Sequence, residues 1–438
     1  MTDLGAALAR LDRTLNHEAS SASGIAAGKI AGLSLEPMHE LMTLLGDPHR
    51  SAPVVHITGT NGKGTVASMI TELLVANGLS VGTYSSPHVD TINERLRRNG
   101  EPIDDEELAL VLDSVMDLGD LARSSPSWFE VVTAAAFRWF AEVAVDVMVV
   151  EVGLLGRYDA TNVVDAAVAV ITNVGADHTD LAPGWETAVA SEKAGIIRPD
   201  ADVVLGAVSD EVRAVVDAEG PARVIAVGDG IEILDDRTAM GGHVVSFTTP
   251  WGHHEGMYVP LHGASQAENA AVATAAVESF FDRALSDDVS ELAMASVTAP
   301  GRCEVVAHQP LVVLDGAHNR DAAEHLVDTL TTEFSPVGSR MLVVGMLAGR
   351  TPSELLDALA PYGWDVVVAT SAPSPRGLPA ASLRAEIVAS FGLEPEVIDD
   401  PRAAVERLLV VAGDDDMVVV AGSFYLVSPA RAAITAAS

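Results

Sequence analysis

Cysteine is almost missing from this chain: Cys303 is the only one in 438 residues. No intramolecular disulfide can form, which fits a reducing cytosol. Basic residues are scarce too, 26 Lys and Arg against 62 Asp and Glu, for a formal charge of −36. A field of that sign repels phosphate backbones and anionic bilayers, so neither nucleic acid nor a membrane is expected as a partner. Any anionic small-molecule substrate must then be met by locally concentrated Lys and Arg. There is no run of 18 apolar residues, so no spanning helix is predicted. Met1-Thr2-Asp3-Leu4-Gly5 lacks the basic-then-apolar order of a secretory leader. The expectation is a cytoplasmic monomer that acts on small molecules. Internal repeats and low-complexity stretches are also missing, apart from the Ala-rich last few residues.

What remains is a chain about half apolar (48%) with an ordinary share of charge, long enough for two domains. Apolar runs near 54–58, 81–85, 146–152, 167–172 and 202–206 read as buried strands. Helical spacing lies between several of them, near 65–77, 105–118, 128–143 and 185–195. Such alternation predicts an α/β fold whose mostly parallel sheet carries helices on both faces. Residues 222–263 differ: they are short, Gly-containing and alternating, and predict a small antiparallel β element. A helix pair follows near 265–281 and 286–297. Ala299-Pro300-Gly301-Arg302 then marks a break. A second alternating series has strands near 311–314, 341–345, 365–370 and 416–421. The expected domains are 1–298 and 299–438.

The most informative stretch is His56-Ile57-Thr58-Gly59-Thr60-Asn61-Gly62-Lys63-Gly64-Thr65. It lies between an apolar β-branched run and a helical pattern. Glycines at 59, 62 and 64 allow close backbone approach. The loop's N–H groups and the helix start favour an anion. Lys63 adds a point charge, and the Thr65 hydroxyl suits Mg²⁺. Gly59, Thr60, Asn61, Gly62, Lys63, Gly64 and Thr65 are therefore the expected ATP-phosphate loop. The usual phosphate-loop spacing is not met: Ile57 stands where the first Gly belongs, and Gly64 separates Lys63 from Thr65.

This variant resembles the phosphate loop of the Mur ligase superfamily, and the inserted Gly64 resembles its folate branch, the dihydrofolate and folylpolyglutamate synthases. Further segments carry the likeness, in the family's order from about residue 30 to 428. Glu151-Val152-Gly153-Leu154-Leu155-Gly156-Arg157-Tyr158-Asp159-Ala160-Thr161-Asn162 is similar to Glu-Val-Gly-Leu-Gly-Gly-Arg-Leu-Asp-Ala-Thr-Asn, which implies Glu151 as a Mg²⁺ ligand. Ile171-Thr172-Asn173-Val174-Gly175-Ala176-Asp177-His178-Thr179 implies His178 as another, although Mg²⁺ prefers oxygen. Ser85-Ser86-Pro87-His88 implies that Ser86 helps hold a second metal; from the residues alone Ser86 reads equally as a turn residue before Pro. Glu192-Lys193-Ala194-Gly195-Ile196 implies a carbamylated Lys193. A carbamate is an anion that can meet Mg²⁺, whereas an ammonium cannot; the plain alternative is a helix-surface Glu–Lys pair.

Gln266 and Asn269 resemble the pair that contacts adenine, with Ser265 where the family often has His. Arg302, in Pro300-Gly301-Arg302-Cys303-Glu304, is implied to reach the ATP phosphates across the cleft. In Asp315-Gly316-Ala317-His318-Asn319, Asp315 is implied at the ribose and His318 at the reacting centre, and Gly422-Ser423-Phe424-Tyr425 matches a closing strand end. The basic cluster Asn93-Glu94-Arg95-Leu96-Arg97-Arg98 either steers an anionic substrate or is a solvated loop. One departure stands out: Leu347-Ala348-Gly349-Arg350 replaces the usual Asp-Lys-Asp turn.

The resemblance implies a phosphate-loop ATPase domain and a C-terminal Rossmann-like α/β domain. It also implies ATP and Mg²⁺ as cofactors, and addition of L-glutamate to a pterin or folate carboxylate through an acyl phosphate. A cell-wall UDP-sugar amino-acid ligase is the nearest rival; those relatives carry a further N-terminal domain, and 58 residues precede Gly59 here. A phosphate-loop ATPase that works as a conformational switch is the other, and the motif around Asp315 argues against it.

Overall fold

Every position of Val54–Thr58 is buried, as a strand must be when helices cover both faces of its sheet. In the computed structural model, which describes residues 3–15, 34–176, 179 and 182–437, this strand lies within an eleven-stranded sheet. It pairs in parallel with Val147–Glu151 on one side and Ala166–Ile171 on the other. Asp202–Leu205 and Arg223–Val227 continue the parallel series past Ala166–Ile171, and Val81–Tyr84 continues it past Val147–Glu151. Side chains alternate between two cores. Val147 and Val149 pack with Ile57, Ile70 and the alanines of helix Ser265–Phe281. Met148 and Val150 pack with Tyr84, Phe137 and Phe140.

The helices expected in the first half are found at Lys63–Ala76, Asp105–Gly119, Trp128–Glu142 and Trp185–Ala194. The β element expected in 222–263 is an extension of the main sheet. Gly242–Thr248 lies between Gly230–Ala239 and His253–Val259 and is antiparallel to both, and Arg223–Val227 joins them to the parallel strands. Alternation marks which faces are half-buried and is silent on the edge to which strands attach.

The basic cluster at 95–98 is not a solvated loop. Leu96–Arg98 is a strand antiparallel to Val81–Tyr84. Arg95 is 1% exposed, with its guanidinium 4.8 Å from the centre of the Trp128 ring and its Nε donating to His88 Nδ1 at 2.9 Å.

A second, six-stranded sheet runs in the order Glu304–His308, Leu311–Leu314, Met417–Ala421, Arg340–Val344, Val366–Ala369, Glu396–Val397. Only its first pairing is antiparallel. Val313 and Val419 face one core, and Val312, Leu314, Val418 and Val420 face the other. The two edge strands, Glu304–His308 and Glu396–Val397, escape the sequence reading because no position of either is fully buried. Among the described residues, no helix is long and apolar enough to cross a membrane.

Candidate active site

Four adjacent parallel strands of the large sheet end on one edge, where open α/β sheets bind ligands. They deliver the loop after Val54–Thr58, Glu151, the segment after Ala166–Ile171, and Ser85-Ser86. At Gly59 (φ +156°) a Cβ would lie 1.8 Å from Thr172 Oγ1, so no side chain fits there. Gly62 caps helix Lys63–Ala76 with φ +82°. Lys63 folds back over the loop, its Nζ donating to Gly59 O at 3.0 Å and Thr60 O at 3.2 Å. Thr65 is buried at the first helical turn.

Sequence reasoning missed what holds this loop in shape. Asn173 Oδ1 accepts the N–H groups of Thr60 and Asn61 at 3.0 and 2.9 Å. The Thr172 hydroxyl donates to Asn61 O at 2.6 Å, and Gly175 N–H donates to the Thr60 hydroxyl at 2.8 Å. The only signal was the position of Asn173, directly after a strand in a stretch quoted for another residue.

Glu151 is 3% exposed, and its Oε2 accepts the Ser86 N–H at 3.1 Å. Burial pushes its pKa up; Lys63, that N–H, Arg302 and Arg95 pull it back. A Cβ at position 64 would stand 3.5 and 3.7 Å from its two carboxylate oxygens. Gly64 thus keeps clear the space a cation on Glu151 would need. Among the described residues no group of three or more His, Cys, Asp or Glu could hold a metal. One buried carboxylate bonded to the Ser86 N–H and facing Gly64, the residue before Thr65, fits Mg²⁺, which takes few protein oxygens and fills its remaining positions with phosphate and water. His178 lies outside the described residues.

The loop after Glu151 is built on Asp159. Asp159 Oδ2 accepts the Leu154 N–H at 2.8 Å, and Oδ1 accepts the Thr161 N–H at 3.0 Å and the Thr161 hydroxyl at 2.5 Å. With its proton given to Asp159, the Thr161 hydroxyl accepts from His56 Nε2 at 2.9 Å. His56 is therefore neutral with Nε2 protonated, and burial first, then Arg198, lowers its pKa to about 3. Leu155 adopts a left-handed φ of +58°, which explains the glycine usual at its place.

Lys193 is 3% exposed and Glu192 is 9% exposed, so the surface ion-pair reading fails. Glu192 Oε2 is buried without a hydrogen-bond partner, and burial raises its pKa against Arg157.

Two further elements close on this edge. Asn269 Oδ1 sits 2.9 Å from where a Gly62 Cβ would be, and its Nδ2 donates to Gln266 Oε1 at 3.0 Å. The Gln266–Asn269 pair therefore abuts the phosphate loop. From the turn that leads into the second sheet comes Arg302, packed 4.0 Å from the centre of the Phe424 ring. Burial lowers its pKa, while Asp315 and Glu151 oppose the shift. Asp315 accepts the N–H groups of Cys303 at 2.7 Å and Ala317 at 2.6 Å, which shapes the Arg302 turn. His318 Nδ1 donates to Gly316 O at 2.7 Å. Asn319 caps helix Arg320–Glu333 through Oδ1, and its buried Nδ2 has no acceptor. The turn at Leu347–Arg350 is tied to the 374–378 loop by Ala348 N–H to Arg376 O at 2.7 Å.

The chain matches the Mur ligase middle domain over residues 122–277 and the Mur ligase glutamate ligase domain over 301–424. It is 39% identical to the dihydrofolate synthase/folylpolyglutamate synthase of Mycobacterium tuberculosis over 386 residues, 82% of this chain and 78% of that one. It superposes on the M. tuberculosis folylpolyglutamate synthase complexed with ADP and AMPPCP with a TM-score of 0.89, 34% identity and 98% of both chains covered. It also superposes on a bifunctional folylpolyglutamate synthase/dihydrofolate synthase with Mn, AMPPNP and L-glutamate bound; the TM-score is 0.85, the identity 28%, and 99% of this chain and 98% of that one are covered. The chain belongs to the Mur ligase family, in its dihydrofolate synthase/folylpolyglutamate synthase branch.

Proposed function

We propose that this ATP-dependent ligase adds L-glutamate to the carboxylates of dihydropteroate and of reduced folates. The observation that supports this best is the electrostatic interaction of buried Arg302, from the C-terminal half, with both Asp315 and Glu151, the latter beside the phosphate loop of the N-terminal half. A carboxylate is inert to amines until one of its oxygens becomes a leaving group. The γ-phosphoryl of ATP passes to the acceptor carboxylate, forming an acyl phosphate and releasing ADP. The glutamate amine then attacks the acyl carbon, the C–O bond to phosphate breaks, and the amine loses a proton.

In this reading Lys63, from the N-terminal half, and Arg302, from the C-terminal half, neutralise the charge on the transferring phosphoryl. His318 Nδ1 donates to Gly316 O, so in the neutral ring Nε2 is the nitrogen suited to take the amine proton. Gln266 and Asn269 hold adenine, and Asp315 meets the ribose. Thr65, Ser86, Glu151, His178 and a Lys193 carbamate would hold Mg²⁺, which would supply Lewis-acid charge neutralisation at the phosphoryl oxygens. Residues 1–298 form the ATP-binding catalytic domain and 299–438 the glutamate ligase domain; closing the cleft shields the acyl phosphate from water. The protein acts as a cytoplasmic monomer. Purified protein with Mg-ATP and glutamate is expected to release ADP with dihydropteroate and, separately, with tetrahydrofolate. Turnover with one acceptor only makes it monofunctional, and turnover with neither overturns the reading.

A further inference from the structure

Away from the phosphate loop, one cluster of titratable side chains joins the two halves of the molecule. Glu333 ends helix Arg320–Glu333, and its side chain is 2% exposed. Oε1 meets His243 Nε2 at 3.0 Å and accepts the Gly263 N–H at 2.7 Å; Oε2 meets His262 Nδ1 at 2.8 Å. The other ring nitrogen of His243 is 2.6 Å from Asp236 Oδ1. The Phe334 ring packs on His262 with centroids 4.8 Å apart. Gly263 has φ +113°, and a Cβ there would come within 3.2 Å of Thr329 Oγ1. The end of this C-terminal helix is thus seated directly on the backbone of the 262–263 turn.

That turn opens the helix carrying the Gln266–Asn269 pair. Gln266 N–H donates to Gly263 O at 3.0 Å, and Gln266 Nε2 donates to His262 O at 3.2 Å. Gln266 Oε1 in turn accepts from Asn269. The carbonyls that orient Gln266 belong to the two residues that Glu333 grips. Removing the carboxylate leaves several buried donors without their acceptor, a loss that relaxes the turn.

We propose that Glu333, with His243 and His262, is a positioning residue of the nucleotide site: seating the C-terminal half on the 262–263 turn sets Gln266 and Asn269, so nucleobase selectivity depends on this clamp. The proposal rests on the reading that Gln266 and Asn269 contact adenine.

The test measures kcat and KM for ATP and for GTP, with glutamate and dihydropteroate, in the full chain and in E333Q, H262Q and Q266A, alongside melting curves. H262Q keeps the His243–Glu333 pair and serves if E333Q fails to fold. The clamp variants are expected to raise KM for ATP and to lower the ATP-over-GTP ratio of kcat/KM, each by about tenfold, within the range of energetic coupling between sites. kcat stays within about threefold, because the reacting groups are untouched. If Q266A loses selectivity while E333Q and H262Q keep it, the clamp is structural only and the proposal is overturned. If Q266A itself keeps full selectivity, the adenine reading fails and the proposal falls with it.

Discussion

Gly64 faces Glu151: a Cβ at position 64 would stand in van der Waals contact with its carboxylate, 3.5 Å from one oxygen. The position lies in the first turn of helix Lys63–Ala76, where glycine is a poor helix former. Gly64→Val is therefore expected to leave the melting temperature nearly unchanged while kcat falls by about 10²-fold or more, a loss of roughly 3 kcal/mol of transition-state stabilisation. Circular-dichroism melts and coupled ADP release check the two halves of that expectation. Full activity in the variant would remove the cation from this place.

Lys63→Ala separates charge from shape in the phosphate loop. The ammonium donates to the loop carbonyls of Gly59 and Thr60, and the loop is braced independently by Asn173, Thr172 and Gly175. The variant should fold normally and lose about 10²–10³-fold in kcat, as expected for one donor aimed at developing charge. Near-normal turnover with an intact melt would withdraw the ATP-site assignment.

The strands and helices around the site were legible because periodicity and turn chemistry are local. Val147–Glu151 reads as a buried strand ending in a carboxylate with no knowledge of its neighbours. Asn173 was not legible as the loop's brace, because its partners are about 112 residues away in the chain. Arg95 misled for the same reason. Its charge suggests solvent, yet Trp128 and His88 cover it, and both come from other elements. Glu333 gave no signal at all: one acidic residue at a helix end looks like every other in so acidic a chain. Its histidine partners lie about 70 and 90 residues before it.

The Glu333 clamp predicts a pH window. Hydrogen bonding to Glu333, set against burial and reinforced by Asp236, lifts His243 to about 9 from an ordinary 6.5. Burial alone would raise Glu333, but His243, His262 and the Gly263 N–H together hold it at about 2, against an ordinary 4.5. A raised histidine contributes stability that is complete below 6.5 and lost as pH climbs through about 9. A depressed carboxylate contributes stability that is complete above 4.5 and lost as pH falls through about 2. KM for ATP should therefore be flat between these limits and rise above about 9 in the parent protein. H243Q should not show that rise. An identical alkaline rise in H243Q would assign it to another group.

Lys193 supplies the sharpest chemical test. Its side chain is buried in helix Trp185–Ala194, and the preceding residue, Glu192, has a buried Oε2 with no hydrogen-bond partner. An ammonium cannot bind Mg²⁺; a carbamate, formed when the neutral amine attacks CO₂ and loses a proton, can offer it oxygen. Enzyme prepared with ¹³C-labelled bicarbonate should show one carbamate carbon signal that is absent in Lys193→Ala. That variant should lose about 10³-fold in kcat, on the scale of losing a ligand that holds the catalytic ion. A short carboxylic acid such as acetate, able to enter the space left by the side chain, should restore part of the activity. Lys193→Arg keeps the positive charge but cannot form the carbamate, and it should be as inactive as the alanine variant. Full activity in Lys193→Arg would show that a cation suffices there, and the carbamate would have to be abandoned.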